Sequence, residues 1–87
     1  MHTVRVASPL RAYTAGAAQV SAGGTTVAAL LADLERAHPG IRFRMIDEQD
    51  RIRTHIRIFV GTREVTGLDA ALGADQEVHL ICALSGG

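Results

Sequence analysis

A single amphipathic helix among short strand-like segments is the feature that most constrains how this chain can fold. The apolar residues of one segment repeat at helical spacing: Val27, Leu30, Leu31 and Leu34. Thr25 or Thr26 precedes this run and can cap the helix. His38-Pro39-Gly40 ends it, because proline restricts the residue before it and cannot continue the hydrogen-bond ladder. One apolar stripe cannot enclose a core alone, so this helix must pack against a sheet.

Most other segments alternate between polar and apolar residues, which is typical of half-buried strands. This alternation predicts strands at residues 2–8, 18–22, 56–60 and about 77–83, with a short return strand at 64–65. Residues 9–16 are predicted to form a loop and residues 68–72 a brief helical turn. The order of elements predicts an α+β fold: one mixed sheet of four to five strands, with the main helix packed on one face.

Strand parity divides the side chains between the two faces of this sheet. The positions predicted to face the helix are Val4, Val6, Ile56, Ile58, Val60, Val78 and Leu80. The positions predicted for the opposite face are Arg5, Arg57, Phe59, His79 and Ile81. Phe59 and Ile81 exposed together would form a small apolar patch rimmed by arginines, which is typical of a docking site. The alternative is that Phe59 packs beneath residues 41–54.

Residues 41–54 have no clear period. Ile41, Phe43 and Ile46 are predicted to be apolar anchors, and residues 47–51 an exposed turn. Five of the nine arginines lie between positions 42 and 57, together with three acidic residues. This mixture favours a solvated charged surface over a specific basic site.

Composition excludes several classes of function. Nine arginines balance nine acidic residues and the formal net charge is zero, so a nucleic-acid partner is not predicted. The chain has no long apolar run and no basic-then-apolar leader, so neither a membrane partner nor a signal peptide is predicted, and the expected location is the cytoplasm. The length fits a single domain over residues 1–87.

No set of residues suggests catalysis or metal binding. Parity places the single cysteine, Cys82, on the side of Val78 and Leu80, which favours a buried structural thiol over a nucleophile. The four histidines lack chelating spacing, so no metal site is predicted. We therefore predict that this chain is not an enzyme.

The last two residues, Gly86-Gly87, follow directly on a strand-like segment. Glycine has no Cβ and lets the backbone approach another surface closely. Those properties suit a carboxylate that must enter another protein's active site. The alternative is an ordinary frayed terminus.

With these residues the chain resembles the ubiquitin-like sulfur carriers of the β-grasp fold, the MoaD/ThiS type. Among them are the small subunit of molybdopterin synthase and the cysteine-biosynthesis carrier. The resemblance rests on four segments: residues 9–16, the helix end at 38–41, the strand at 56–60 before Gly61, and Leu84-Ser85-Gly86-Gly87. It covers essentially the whole chain and implies one domain with a flexible C-terminal tail, residues 84–87.

The resemblance implies a carrier role centred on Gly86 and Gly87. A ubiquitin-activating-type adenylating enzyme, which holds ATP and Mg²⁺, would adenylate the Gly87 carboxylate. Sulfur from a sulfurtransferase or persulfide donor would then displace AMP to leave a thiocarboxylate, which a downstream synthase subunit uses. This chain itself is expected to bind no cofactor. Its length and residues 41–54 favour the molybdopterin or cysteine type.

Two other functions remain open at this point. A ubiquitin-like protein modifier would use the same adenylate to form isopeptide bonds, and a non-catalytic β-grasp interaction module would leave the diglycine unused. For the carrier, the residues expected to contact partners are Arg5, Arg57, Phe59, His79, Ile81, Leu84 and Ser85.

Overall fold

The computed structural model describes residues 1–83 and has a five-stranded mixed sheet with an eleven-residue helix on one face. The strands are β1 (His2–Val6), β2 (Gln19–Ala22), β3 (Ile56–Val60), β4 (Arg63–Val65) and β5 (Glu77–Cys82). The helices are α1 (Val27–Ala37), the short α2 (Ile41–Met45) and a 3₁₀ helix (Ser8–Tyr13). The predicted tail, residues 84–87, lies outside the described residues.

The strand order is β2-β1-β5-β3-β4, which confirms the predicted α+β architecture. The two central strands, β1 and β5, are parallel, with Val4 opposite Val78, whereas every other neighbouring pair is antiparallel. The last strand of the chain therefore lies in the middle of the sheet. Because β1 and β5 are parallel, β5 ends at the edge of the sheet where β1 continues into the 3₁₀ helix. A hydrogen bond from Ala7 N–H to the Leu80 carbonyl oxygen (3.1 Å) joins the two strands there.

The core lies between this sheet and α1. All seven residues predicted to face the helix are buried, and so are the four apolar residues of the helical stripe. Thr26 is the N-cap, because its side-chain oxygen accepts a hydrogen bond from Ala29 N–H (3.1 Å). Just before it, a Cβ on Gly24 would lie 2.7 Å from the Leu30 nitrogen, so glycine is needed there for the loop to pass so close to the helix.

Two predicted connections are wrong. Residues 8–13 form the 3₁₀ helix instead of a loop, with Pro9 in its first turn, where a missing N–H costs nothing, and Leu10 buried. Residues 68–72 form a turn only at 68–69, and no helix. The Leu68 and Ala70 carbonyls instead accept the Ala28 and Val27 N–H groups, which are unpaired within the first turn of α1.

Residues 41–54 also differ from the prediction. Ile41 and Ile46 are buried as expected, but Phe43 is 59% exposed and is not an apolar anchor. The reason is the short helix α2, which the sequence analysis missed. Ile41 and Met45 are four residues apart and occupy its buried side, so Phe43 faces away from the core.

Glu35 holds α2 against the end of α1. Its carboxylate accepts hydrogen bonds from Gly40 N–H (2.8 Å) and Arg42 N–H (3.0 Å), at the start of the short helix. These two bonds keep the pKa of Glu35 below its ordinary value of 4.5, and the bond from Gly40 has the larger effect. Only glycine suits position 40. Its φ of 97° lies in the left-handed region, and a Cβ on this residue would be 3.0 Å from the Tyr13 ring.

We expect Glu35→Gln to destabilise the protein at pH 7, because one amide cannot accept both backbone N–H groups. A carboxylate whose folded pKa is lowered stabilises the fold above its unfolded pKa, and this contribution disappears as the pH falls through the folded value. The difference in urea midpoint between the variant and the parent should therefore be largest near pH 7 and shrink as the pH falls below 4.5. Glu48→Gln, at an exposed position in the turn after α2, is the control and should match the parent at both pH values. A Glu35→Gln midpoint equal to that of the parent at pH 7 would contradict this role.

Candidate functional site

The candidate site surrounds the place where β5 ends and the tail begins. The last backbone hydrogen bond that the structure shows there joins Ala83 N–H to the His55 carbonyl oxygen (2.7 Å). It ties the root of the tail to the residues that precede β3. The predicted site residues Leu84, Ser85, Gly86 and Gly87 lie outside the described part of the chain, so their roles stay predictions.

The structure places the other five predicted site residues together on the sheet face that α1 leaves uncovered. Arg5, His79 and Phe59 lie opposite one another in a single row across β1, β5 and β3. In the next row, Arg57 lies opposite Ile81. Ile81 is 40% exposed. Phe59 is partly buried, so it contributes less exposed apolar surface than the sequence predicted.

Two glutamates that the sequence analysis did not assign to the site pair with its cations. Glu77 accepts a hydrogen bond from Arg5 Nε (3.2 Å) and another from His79 Nε2 (3.0 Å). Glu64 Oε2 lies 3.0 Å from Arg57 Nη1. The bond from His79, and then that from Arg5, holds the pKa of Glu77 below its ordinary value of 4.5. The rim of the patch is therefore a set of paired charges and not a ring of free arginines.

A sequence signal for both glutamates exists. Glu77 has the same parity as His79 on one strand, and Glu64 in the return strand lies opposite Phe59. Side chains opposite or diagonal to each other on neighbouring strands interact. Predicting these pairs from the sequence would have required knowing which strands are neighbours and in which register they pair. Local periodicity does not give either.

An apolar groove of about 490 Å³ opens on the β1 side of the tail's root. It is lined by residues 5–9, where β1 passes into the 3₁₀ helix, and by residues 79–82 of β5. Ile81 is its exposed hydrophobic residue. The groove can receive an apolar side chain of another protein.

Cys82 packs against the core, as its strand parity predicts, and is half-buried. Burial raises the pKa of its thiol, and the positive charge of Arg44 opposes this only in part. The protonated form is a poor nucleophile and a poor metal ligand. Burial therefore favours the protonated thiol of Cys82.

The buried histidine, His2, has a structural role. Its Nδ1 accepts a hydrogen bond from Gln76 N–H (3.0 Å), so the proton of the neutral ring is on Nε2, which donates to the Gly24 carbonyl oxygen (2.6 Å). Within residues 1–83, no three His, Cys, Asp or Glu side chains lie close enough together to hold a metal ion. Among the helices of the same residues, none is long and apolar enough to cross a membrane.

Comparison with known proteins gives full-length matches. The family model described as the ThiS family matches residues 4–87. The sulfur carrier protein CysO of Mycobacterium tuberculosis is 33% identical over 90 aligned residues, which cover 98% of this chain and 97% of the relative.

Solved structures agree with this. In the crystal structure of the Amycolatopsis orientalis BexX/CysO complex, one chain is 30% identical to this one, with a TM-score of 0.93 and complete coverage of both chains. SAMP1 from Haloferax volcanii is 26% identical, with a TM-score of 0.78, and the match covers 99% of this chain and 98% of that one. These matches confirm the predicted ubiquitin-like β-grasp fold.

We expect the Cys82 thiol to react with Ellman's reagent more slowly in the folded protein than in the protein unfolded in urea, because burial disfavours the thiolate. The matched control is the double variant Ile81→Cys, Cys82→Ala, which moves the thiol by one residue to the exposed face and should react rapidly when folded. Equal rates for folded and unfolded Cys82 would contradict this prediction.

Proposed function

The chain belongs to the ThiS family of ubiquitin-like sulfur carriers, and from that premise we propose that sulfur is carried as a thiocarboxylate on Gly87. The observation that supports this best is the full-length similarity to a protein named sulfur carrier protein, together with the diglycine at the end of the sequence. The chain is a carrier and not a catalyst, as the family is. Its part in the chemistry is to supply a carboxyl group to enzymes that modify it.

The proposed loading reaction has two steps on a partner adenylating enzyme that binds ATP and Mg²⁺. First, a carboxylate oxygen of Gly87 attacks the α-phosphorus of ATP, so that pyrophosphate leaves and an acyl-adenylate forms. Hydrosulfide then attacks the acyl carbon, the bond to the phosphate oxygen breaks and AMP leaves. The product is the Gly87 thiocarboxylate, which a downstream synthase consumes. A sulfurtransferase persulfide is the alternative sulfur donor. Its terminal sulfur attacks the acyl carbon and AMP leaves, which gives an acyl disulfide. A second thiol then attacks the sulfurtransferase sulfur, so that a disulfide forms and the thiocarboxylate leaves.

The geometry at the root of the tail supports a carrier that docks closely on each partner. Residues 84–87 extend at most about 13 Å at roughly 3.3 Å per residue. The globular body must therefore lie within that distance of the partner's reacting groups. The apolar groove and Ile81 flank the root of the tail on the uncovered sheet face, and we propose them as the main docking surface.

Among the possible destinations of the sulfur, we propose the cysteine type over the molybdopterin type. The support is that the bacterial relatives compared above are named CysO. A carrier of this kind can bind another protein, as the crystal structure of the Amycolatopsis orientalis BexX/CysO complex illustrates for that pair. By analogy, the partners of this chain are an adenylating enzyme, a sulfur donor and a synthase.

The first test is the intact mass of the protein after incubation with a candidate activating enzyme, ATP and sulfide. We expect a mass gain equal to the replacement of one oxygen by sulfur, localised to the C-terminal peptide. A variant that lacks Gly87, and one with an alanine added after Gly87, should show no gain, because the reacting carboxyl is displaced in both.

Other results would identify the alternative functions. Lysine-linked adducts on other proteins, with no sulfur gain, would indicate a protein modifier; this chain has no lysine, so such adducts cannot be its own. An unmodified terminus with every activating enzyme would indicate an interaction module and contradict the carrier role.

A second test concerns the docking surface. Ile81→Asp should lower kcat/KM for thiocarboxylation by about tenfold or more, since a buried hot-spot residue contributes ~1.4 kcal/mol or more and this amount equals a factor of ten. Ser21→Asp places the same charge on β2, at an exposed position of the same face away from the tail, and should stay near the parent value. Equal effects of the two variants would contradict a docking role for Ile81.

A further inference from the structure

A second exposed feature lies near Ala83, on the other side of the end of β5 from the groove. Phe43 on α2 is 59% exposed, and the Arg53 guanidinium carbon lies 4.6 Å from the centre of its ring. Arg53 Nε also donates to the Phe43 carbonyl oxygen (2.8 Å), and Arg53 N–H donates to the Met45 carbonyl oxygen (2.9 Å). These bonds hold the pair in one arrangement at the surface. We call Phe43, Arg44 and Arg53 the α2 platform.

The α2 platform is close to the root of the tail. Arg53 is two residues before His55, whose carbonyl oxygen accepts the Ala83 N–H. The charge of Arg44 acts on the thiol of Cys82, the last residue of β5. The platform therefore lies on the β3 side of the end of β5, whereas the groove lies on the β1 side.

The charge of the platform differs from that of the uncovered sheet face. On the sheet face, Glu64 and Glu77 pair with the cations around Ile81. Near α2, two of the three acids also have partners: Asp50 with Arg42 and Asp47 with Arg51. The third acid, Glu48, lies in the turn after the helix. Within residues 1–83, Arg44 and Arg53 form no ion pair, although the carboxylate of Asp47, already paired with Arg51, also interacts with the charge of Arg53. The platform therefore presents two arginines beside an exposed aromatic ring, with the charge of Arg53 partly offset.

We propose that the α2 platform docks onto an acidic surface patch of the adenylating enzyme that loads this carrier, an inference that rests on the proposed function. Carboxylates of that enzyme pair with Arg44 and Arg53, and an apolar or flat side chain covers the Phe43 ring. Arginine and aromatic residues are the types most enriched among residues that dominate interface energies.

Among the proposed partners, the adenylating enzyme is the one for which an attraction between charged surfaces would matter most. Loading brings the carboxylate of the tail against the triphosphate of ATP, and these negative groups repel each other. Favourable contacts remote from the reacting atoms can supply free energy that offsets such a cost. Opposite charges on the two surfaces also raise the rate of encounter. The downstream synthase meets no triphosphate, so the same requirement does not apply to it.

The test compares charge reversals in the loading reaction. The variant Arg44→Glu, Arg53→Glu is assayed by intact mass with ATP, sulfide and the adenylating enzyme that converts the parent. We expect kcat/KM to fall at least tenfold with kcat nearly unchanged at saturating carrier. Added sodium chloride should slow the parent more than the variant, because salt screens the attraction between exposed charges.

Arg63→Glu is the matched control. Arg63 is exposed on β4, forms no ion pair with the described residues, and lies opposite Val60 near the start of β5, at the end of the sheet away from the tail. Its kcat/KM should stay within about twofold of the parent. Arg44→Gln and Arg53→Gln should each give a smaller fall than the double reversal, and urea unfolding of every variant separates a docking defect from a folding defect.

Three results would overturn the proposal. The first is a folded double variant that is loaded as efficiently as the Arg63→Glu control. The second is normal loading with slowed transfer of sulfur to the downstream synthase, which would assign the platform to that partner. The third is a parent protein that no adenylating enzyme loads, which would overturn the carrier function as well. The first two leave the carrier function intact, so the failures are distinguishable.

Discussion

The parallel pairing of β1 with β5 is the constraint on which the rest of this structure depends. It places the last strand in the centre of the sheet, hydrogen-bonded on both sides, with Val78 and Leu80 buried beneath α1. A parallel pair cannot be joined by a tight turn, so the connection contains all the helices and the three other strands, β2, β3 and β4. The end of β5 is therefore attached to a rigid body, and the residues that follow it begin at a fixed position on the surface.

The surroundings of that position explain how a chain without catalytic groups can take part in chemistry. Within residues 1–83, the cysteine thiol is half-buried with a raised pKa, and the buried histidine is engaged by two backbone groups. Within the fold, both groups contribute to packing and hydrogen bonding. Beside the end of β5, the fold presents surfaces to which other proteins can bind.

Two surfaces of different character flank this root. The apolar groove on the β1 side has its nearby charges paired, so hydrophobic contact dominates there. The α2 platform on the β3 side combines an exposed ring with two arginines that form no ion pair among the described residues. A carrier must be loaded by one enzyme and unloaded by another through the same short tail. Surfaces with different chemistry beside that tail would let each enzyme make its own contacts.

Much of this could be predicted from the sequence, because local periodicity reports local burial. The Leu30–Leu34 stripe and the alternation at Ile56–Val60 were sufficient to predict the helix, the strands and the buried face of each. The diglycine and the resemblance indicated the family. Phe43 was assigned wrongly because the short helix α2 gives its inward side to Ile41 and Met45. Residues 68–72 were assigned wrongly because their carbonyls accept N–H groups of α1, which is distant in sequence.

The sequence by itself therefore determined which residues are buried in α1 and in the strands β1, β3 and β5, and it predicted a carrier role for the two final glycines. Only the tertiary structure decided which charges are paired and which surfaces flank the tail. Glu77 and His79 are neighbours along one strand, but Arg5 joins them only because β1 lies beside β5. Arg53 reaches Phe43 only because the chain turns back after α2. Such contacts depend on strand order and register, which local periodicity does not encode.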